Sequence, residues 1–196
     1  MNYNSREKII ETATRLVRQY GYEAITVNQI ISESRTSKGS FYYHFPNGKD
    51  DVVLEVLRMG YTRAVDGSRS ILARHEDLVE AFSYLVGLMI EDVQNGNSEE
   101  LVFPSLSVIA LEAADVAPAI TEACNNIYLA LRKVFGEKVL QSGAYSPEEA
   151  HYLGTLLQTA FGGAIVASCS SKSTDALTTL RDGFPLMFHK AKASDD

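Results

Sequence analysis

The chain has 196 residues, enough for one or two domains whose core needs no disulfide or metal staple. Hydrophobic residues make up 45% and charged residues 22%, ordinary globular values that exclude disordered, collagen-like and coiled-coil chains. The net charge of −7 hides an asymmetry, +2 over residues 1–50 and −9 over residues 51–196, which argues against a general polyanion binder but leaves room for one local nucleic-acid module. Cys124 and Cys169 form no CxxC pair, so neither a disulfide scaffold nor a cysteine zinc site is expected. No apolar stretch is expected to approach the ~18–20 residues a membrane span needs, and no charged-then-apolar leader opens the chain, which suggests a soluble, cytoplasmic protein with no membrane partner.

The hydrophobic pattern is helical from end to end. Ile9, Ala13, Leu16, Val17 and Tyr20 mark one helix face, with Gly21 as its stop. Thr26-x-x-Gln29 reads as a capping box opening a short helix that holds Ile30 and Ile31. Ser34-Arg35-Thr36-Ser37 is a polar break before the aromatic run Phe41 to Phe45. Pro46-Asn47-Gly48 then reads as a helix–helix loop, since no alternating strands flank it. One long pattern covers 49–73, weakened at Gly60 and Gly67 by about 1 kcal/mol each. Further helices are expected at about 76–94, 104–114, 118–135, 147–169 and 174–189. The helix from 147 is opened by Ser146 as N-cap, Pro147 at the first helical position and Glu149 closing a capping box. The predicted fold is all-α, about nine helices, without repeats or strands.

Residues 26–45 have the plan of a helix-turn-helix, in which the second helix enters the DNA major groove N-terminus first. A helix N-terminus turns N–H groups and partial positive charge toward acceptors. Ser37 and Ser40 add hydroxyls, Lys38 a cation suited to guanine or phosphate, and Gly39 removes a side chain where backbone must approach the duplex. Phe41 and Phe45, four apart, face inward, and Tyr42 and His44 reach outward.

The stretch from Thr26 to Lys49 closely resembles the DNA-binding domain of TetR-type transcriptional repressors. That family carries Thr-x-x-x-Ile before the turn, then Ser-Lys-Gly-Thr/Ser-Leu/Phe-Tyr-x-x-Phe and a nearby Lys. This chain matches at Thr26, Ile30, Ser37, Lys38, Gly39, Ser40, Phe41, Tyr42, Phe45 and Lys49. Two departures stand out. Arg35 occupies the turn position where the family has Gly, which leaves a strained turn or a phosphate contact as readings. Gly48 is an extra residue before Lys49; with Ala-Leu-Glu-Ala-Ala-Asp at 110–115 it resembles the flavonoid- and multidrug-responsive branch.

The resemblance implies a DNA-binding domain over 1–48 and an effector-binding and dimerisation domain over 49–196. It implies DNA contacts by Thr26, Ser37, Lys38, Gly39, Ser40, Tyr42, His44 and Lys49, with Thr26, Tyr42, His44 and Lys49 on phosphates, and Arg35 joins the DNA-binding set on its phosphate reading. Two copies would read a pseudo-palindromic operator. The family's dimer seam lies in the last two helices, here Gly154, Ala160, Gly162, Gly163, Ala164, Ala167 and Ser168 with Leu177, Leu180, Phe184, Met187 and Phe188. A hydrophobic or aromatic effector would be lined by Tyr61, Phe82, Leu85, Met89, Phe103, Ile109, Ile127, Tyr128, Leu131, Gln158 and Phe161.

Rival classes are weaker. No Ser-His-Asp set, phosphate loop or HExxH supports an enzyme, and no cofactor or metal is expected. Asp50-Asp51 reads as first-turn carboxylates complementing a helix dipole. A helical small-molecule carrier would explain residues 50–196 but neither the charge asymmetry nor the helix-turn-helix. Glu112, alone on an apolar helix, reads as hydrogen-bonded structure, with a pocket role as the alternative, and the two cysteines read as inert small hydrophobes.

Overall fold

The computed structural model describes residues 5–96 and 102–189. They form α1 (Ser5–Ala24), α2 (Val27–Ser34), α3 (Lys38–His44), α4 (Lys49–Tyr61), a π-helical turn (Thr62–Asp66), α5 (Gly67–Leu72), α6 (Leu78–Gln94), α7 (Val102–Ala113), α8 (Pro118–Gln141), α9 (Pro147–Ser171) and α10 (Asp175–Met187). Counting α4, the π turn and α5 as one run gives the nine helices expected, and no strand occurs among the described residues. The weak point foreseen in the long helix is real: the α-helical ladder gives way to π geometry between Gly60 and Gly67.

The helices gather into two compact units. The first draws on described residues of Met1–Val65 and Val102–Leu129. Its floor is Ile9, Ala13, Leu16 and Val17 of α1, Ile30 of α2, Phe41 and Phe45 around α3, and Val52, Val53 and Leu57 of α4, all buried. Burying each phenylalanine contributes about 2–3 kcal/mol relative to leaving it exposed. The Phe41 and Phe45 rings lie 5.8 Å apart, and the Arg6 guanidinium sits 5.8 Å over Phe45. Arg6 and Arg58 both pair with Glu55, whose carboxyl is held down at about 2 chiefly by its hydrogen bond from Arg58. Helix α1 breaks at Gly21 (φ 82, ψ −177) and makes one more turn before Ile25.

The second unit draws on described residues of Asp66–Leu101 and Ala130–Asp196. Its centre is a set of packed rings, Phe82, Phe135, Phe161, Phe184 and Phe188, with neighbouring centroids 5.0 to 6.2 Å apart. The capping box at Ser146 and Glu149 forms in both directions. The one at Thr26 forms only by half: Thr26 Oγ1 accepts from Gln29 N–H, while the Gln29 amide turns to Glu33.

Three expectations change. Helix α8 runs on through Gly136 to Gln141, because Gly136 serves packing and not termination. A Cβ on Gly154 would lie 2.6 Å from Arg132 O and 2.8 Å from Gly136 N, so Gly154 lets α9 approach α8 within the chain and does not belong to a subunit seam. Leu177, Phe184 and Phe188 likewise leave the seam: the first two are fully buried and Phe188 stacks on Phe82 and Phe184. Finally, α9 is long and apolar enough to cross a membrane by length and composition, with only 33% of that stretch buried within the chain. One side of it packs here through Leu153, Leu157, Phe161 and Ile165.

Candidate nucleic-acid interface

Helix α3 is short, and its sequence divides it sharply. Phe41 is fully buried and Phe45 nearly so. The opposite face exposes Ser37, Lys38, Gly39, Tyr42 and Tyr43. Ser37 is the N-cap, its Oγ accepting from Ser40 N–H at 3.1 Å, which leaves the hydroxyl proton for another acceptor. Ser40 is half-buried. Thr26, exposed, caps α2 in the same way and keeps its proton too.

Two placements refine the sequence reading. His44 is half-buried, its ring edge-on to Tyr43 at 4.9 Å. Tyr43, not among the expected contacts, is 82% exposed, against 41% for Tyr42. The signal was present in the period: 38, 39, 42 and 43 share one helical face once 41 and 45 are assigned to the core. Lys49 is half-buried; its ammonium donates to Tyr22 O at 3.0 Å and lies 4.1 Å from the Tyr22 ring centroid. Two of its three N–H donors are left for other acceptors. Asp50 accepts from the Tyr22 hydroxyl at 2.8 Å, and burial together with this carboxylate pushes the Tyr22 phenol up to about 12. Asp51 accepts from Asn47 N–H and Nδ2 and ties the loop before α4. Both aspartates therefore serve structure, and no metal-binding group of three occurs among the described residues.

The turn carries strain. Arg35 adopts the left-handed conformation (φ 54, ψ 40), with Arg35 N–H donating to Ser32 O and Thr36 N–H to Ile31 O. This is a complete Schellman closure with arginine where glycine is usual. The Thr36 hydroxyl pairs with that of buried Ser34 at 2.8 Å. The Arg35 side chain is exposed.

The expected effector-lining residues fall in both units. In the first, Ile109 and Ile127 are buried, Tyr61 is 37% exposed, and half-buried Tyr128 has its hydroxyl 3.1 Å from Ser107 Oγ. In the second, Phe82, Leu85, Leu131 and Phe161 are buried and Met89 and Gln158 half-buried. The Phe103 side chain lies outside the described residues. A surface groove of about 400 Å³ in the second unit is lined by His75, Glu80, Tyr84, Glu91 and Arg181 among others, and none of the expected residues borders it.

Residues 9–56 match the family model for bacterial regulatory proteins of the tetR family, and residues 79–182 match the LmrA/YxaF-like transcriptional regulator C-terminal domain. The uncharacterized HTH-type transcriptional regulator YxaF of Bacillus subtilis (strain 168) is 30% identical over 187 residues, covering 95% of this chain and 96% of its own. The HTH-type transcriptional regulator LmrA of the same organism is 29% identical over 186 residues, covering 94% and 97%. Among solved structures, regulatory protein TetR from Rhodobacter sphaeroides superposes with a TM-score of 0.81 over 94% of this chain and 99% of its own, at 15% identity.

The left-handed arginine yields a prediction. Arg35→Gly removes the Cβ strain and stabilises the chain by about 0.5–1 kcal/mol, raising Tm by about 1–4 °C in a thermal melt. A lower Tm would contradict the strain.

Proposed function

The chain belongs to the TetR family of transcriptional regulators, with a DNA-binding N-terminal domain and a ligand-binding C-terminal domain of the LmrA/YxaF-like kind, and on that premise we propose that it is a repressor. As a homodimer it binds a pseudo-palindromic operator and is released by a small hydrophobic or aromatic effector. Relatives and family alike are transcriptional regulators and not enzymes. In this reading residues 1–48 bind DNA, residues 49–196 bind effector and partner copy, and the protein works in the cytoplasm.

The observation that carries the reading is the exposed face of α3, where Ser37, Lys38, Gly39, Tyr42 and Tyr43 stand on a buried phenylalanine floor. Seated in the major groove, Lys38, Ser37, Ser40 and Gly39 address bases, and Thr26, Tyr42, His44, Lys49 and Arg35 hold phosphates. Tyr43 joins the groove contacts.

Dimerisation is supported by the face of α9 that the chain leaves uncovered. Tyr152, Leu156, Thr159, Gly163 and Val166 follow one another at helical spacing, and all are exposed. On α10, Leu186 is 83% exposed. Two-fold pairing of this apolar face would place two reading heads together, as a palindrome requires. The effector class is read from the apolar and aromatic side chains of the C-terminal domain, which hold few polar groups to orient a ligand.

Lys38→Ala weakens binding to an operator recovered by selection and relaxes base preference, whereas Tyr42→Phe weakens binding to all sequences alike, both read by gel shift. With about eight phosphates neutralised per dimer, log affinity falls with log salt at a slope near −7. A Lys38→Ala chain with unchanged affinity and preference sinks the assignment. Gly163→Arg meets nothing within the chain, since a Cβ there has no neighbour within 4 Å. Its helix content is therefore maintained, while sedimentation at micromolar concentration shows a monomer, the melting temperature falls by the stabilisation that dimerisation supplied, and operator binding is lost. Aromatic compounds that raise Tm in a thermal-shift screen lower operator affinity about 5–150-fold, the range of ordinary allosteric coupling. Tight binders that leave the operator complex intact would refute induction.

A further inference from the structure

The break of α1 at Gly21 frees backbone groups that an unbroken helix would use internally, and charged side chains from two other helices take them. Glu112 of α7 accepts from Tyr22 N–H at 2.5 Å and from Glu23 N–H at 3.0 Å through the same oxygen. Lys49 of α4 donates to Tyr22 O at 3.0 Å. Tyr22 O and Glu23 N–H are the two ends of a single peptide group. That peptide therefore lies between a carboxylate on its N–H side and an ammonium on its C=O side. The orientation matches its dipole, so each bond polarises and strengthens the other. Gly21 makes room for this: a Cβ there would lie 2.5 and 2.6 Å from the two Glu112 carboxylate oxygens, at a φ that L side chains rarely adopt. The arrangement joins a residue of the C-terminal family domain to the first residue of the helix that follows the reading head.

We propose that Glu112 is a positioning residue for DNA binding, which acts by fixing the Tyr22–Glu23 peptide that in turn aims the Lys49 ammonium. The proposal rests on the reading of Lys49 as a phosphate contact. It accounts for three features at once: a glycine-enforced break in a core helix, a carboxylate on an apolar helix face, and a lysine placed over an aromatic ring with two donors left over. With Glu112 in place the peptide carbonyl cannot rotate away from Lys49. Without it, two N–H groups lose their acceptor, the peptide relaxes, and Lys49 samples orientations that do not meet phosphate.

The test is a double-mutant cycle on the full-length chain, using an operator duplex selected from a random pool by the wild-type protein. Fluorescence anisotropy reads affinity, and the Glu23 amide proton resonance reads the peptide. Lys49→Met and Glu112→Leu each weaken binding about tenfold, and the double variant is no weaker than either single one. The Glu23 resonance moves upfield in Glu112→Leu. Glu112→Gln, which keeps an oxygen acceptor, stays within about threefold of wild type. If Glu112→Leu does not fold, Glu112→Asp takes its place in the cycle, since its shorter side chain withdraws the carboxylate while keeping the charge. Losses that multiply to about a hundredfold, a wild-type affinity in Glu112→Leu or Glu112→Asp, or a Gln variant as weak as these overturns the proposal while the Lys49 contact stands. An unchanged Lys49→Met affinity removes the Lys49 contact itself, and this proposal with it.

Discussion

The peptide between Tyr22 and Glu23 is the point on which the geometry of the first unit depends. A glycine at 21 turns the chain out of helical register, and the groups so released would be costly to bury without partners. Glu112 and Lys49 supply them with charge, and hydrogen bonds to charged groups contribute about 1.5–3 kcal/mol each against about 1 for neutral ones. The Tyr22 side chain adds to this, its ring under Lys49 and its hydroxyl on Asp50. Three helices are thus tied to one residue that is 6% exposed. Apolar packing of α1 on α4 and α7 tolerates sliding along the helix axes; these polar contacts do not, because they demand specific atoms at about 3 Å.

Much of this protein was legible in its sequence, and the reasons are local. Helix periodicity and capping signals marked most elements, and the break between 34 and 37 with the Phe41–Phe45 pair located the reading helix and its inward face. Boundaries failed where a residue had two physical meanings. The end expected for α8 at 135 fell short because Gly136 admits the backbone of α9 inside the helix, and Gly154, placed in the seam by its small size, serves the same close approach. The exposure of Tyr43 was readable from the helical period once Phe41 and Phe45 were assigned to the core, but the run of five aromatic rings drew attention away from it. Glu112 was readable as a hydrogen-bonded group, yet its partners lie ninety residues earlier in backbone N–H groups that carry no side-chain signal. Long-range bonds to backbone leave no compositional trace.

Helix α9 has a composition that invites several readings, and its burial separates them. Its apolar content exceeds what the chain covers: Leu153, Leu157, Phe161 and Ile165 face inward, while Tyr152, Leu156 and Val166 stay exposed. An amphipathic surface helix would carry charge on that outer side, and beyond His151 the uncovered side of α9 carries none until Lys172. Thr155, Gln158 and Thr159 nevertheless give the helix a polar content that a lipid-facing span rarely holds. A face that is apolar, small-residued and partly polar suits a second protein surface, where hydroxyls and amides find partners, better than hydrocarbon, where they do not.

The aromatic core of the second unit constrains how a ligand could act. Five phenylalanine rings already satisfy one another at stacking and edge-on distances, and a well-packed cluster yields by discrete rearrangement, not by gradual deformation. A ligand shifts DNA affinity only by its differential affinity for two arrangements of the chain, so it needs an element with two distinguishable states. Within the first unit, the bonds that Glu112 accepts depend on distance in the way such an element requires. A displacement of α7 by about 1 Å would take a 3.0 Å bond beyond the range in which it counts as one. Helix-to-helix apolar contact would scarcely change over the same distance. The free energy of one charge-assisted bond, about 1.5–3 kcal/mol, is also of the size that ordinary allosteric coupling requires. A small motion of α7 therefore acts more strongly on the peptide that Lys49 holds than on the apolar contacts around it.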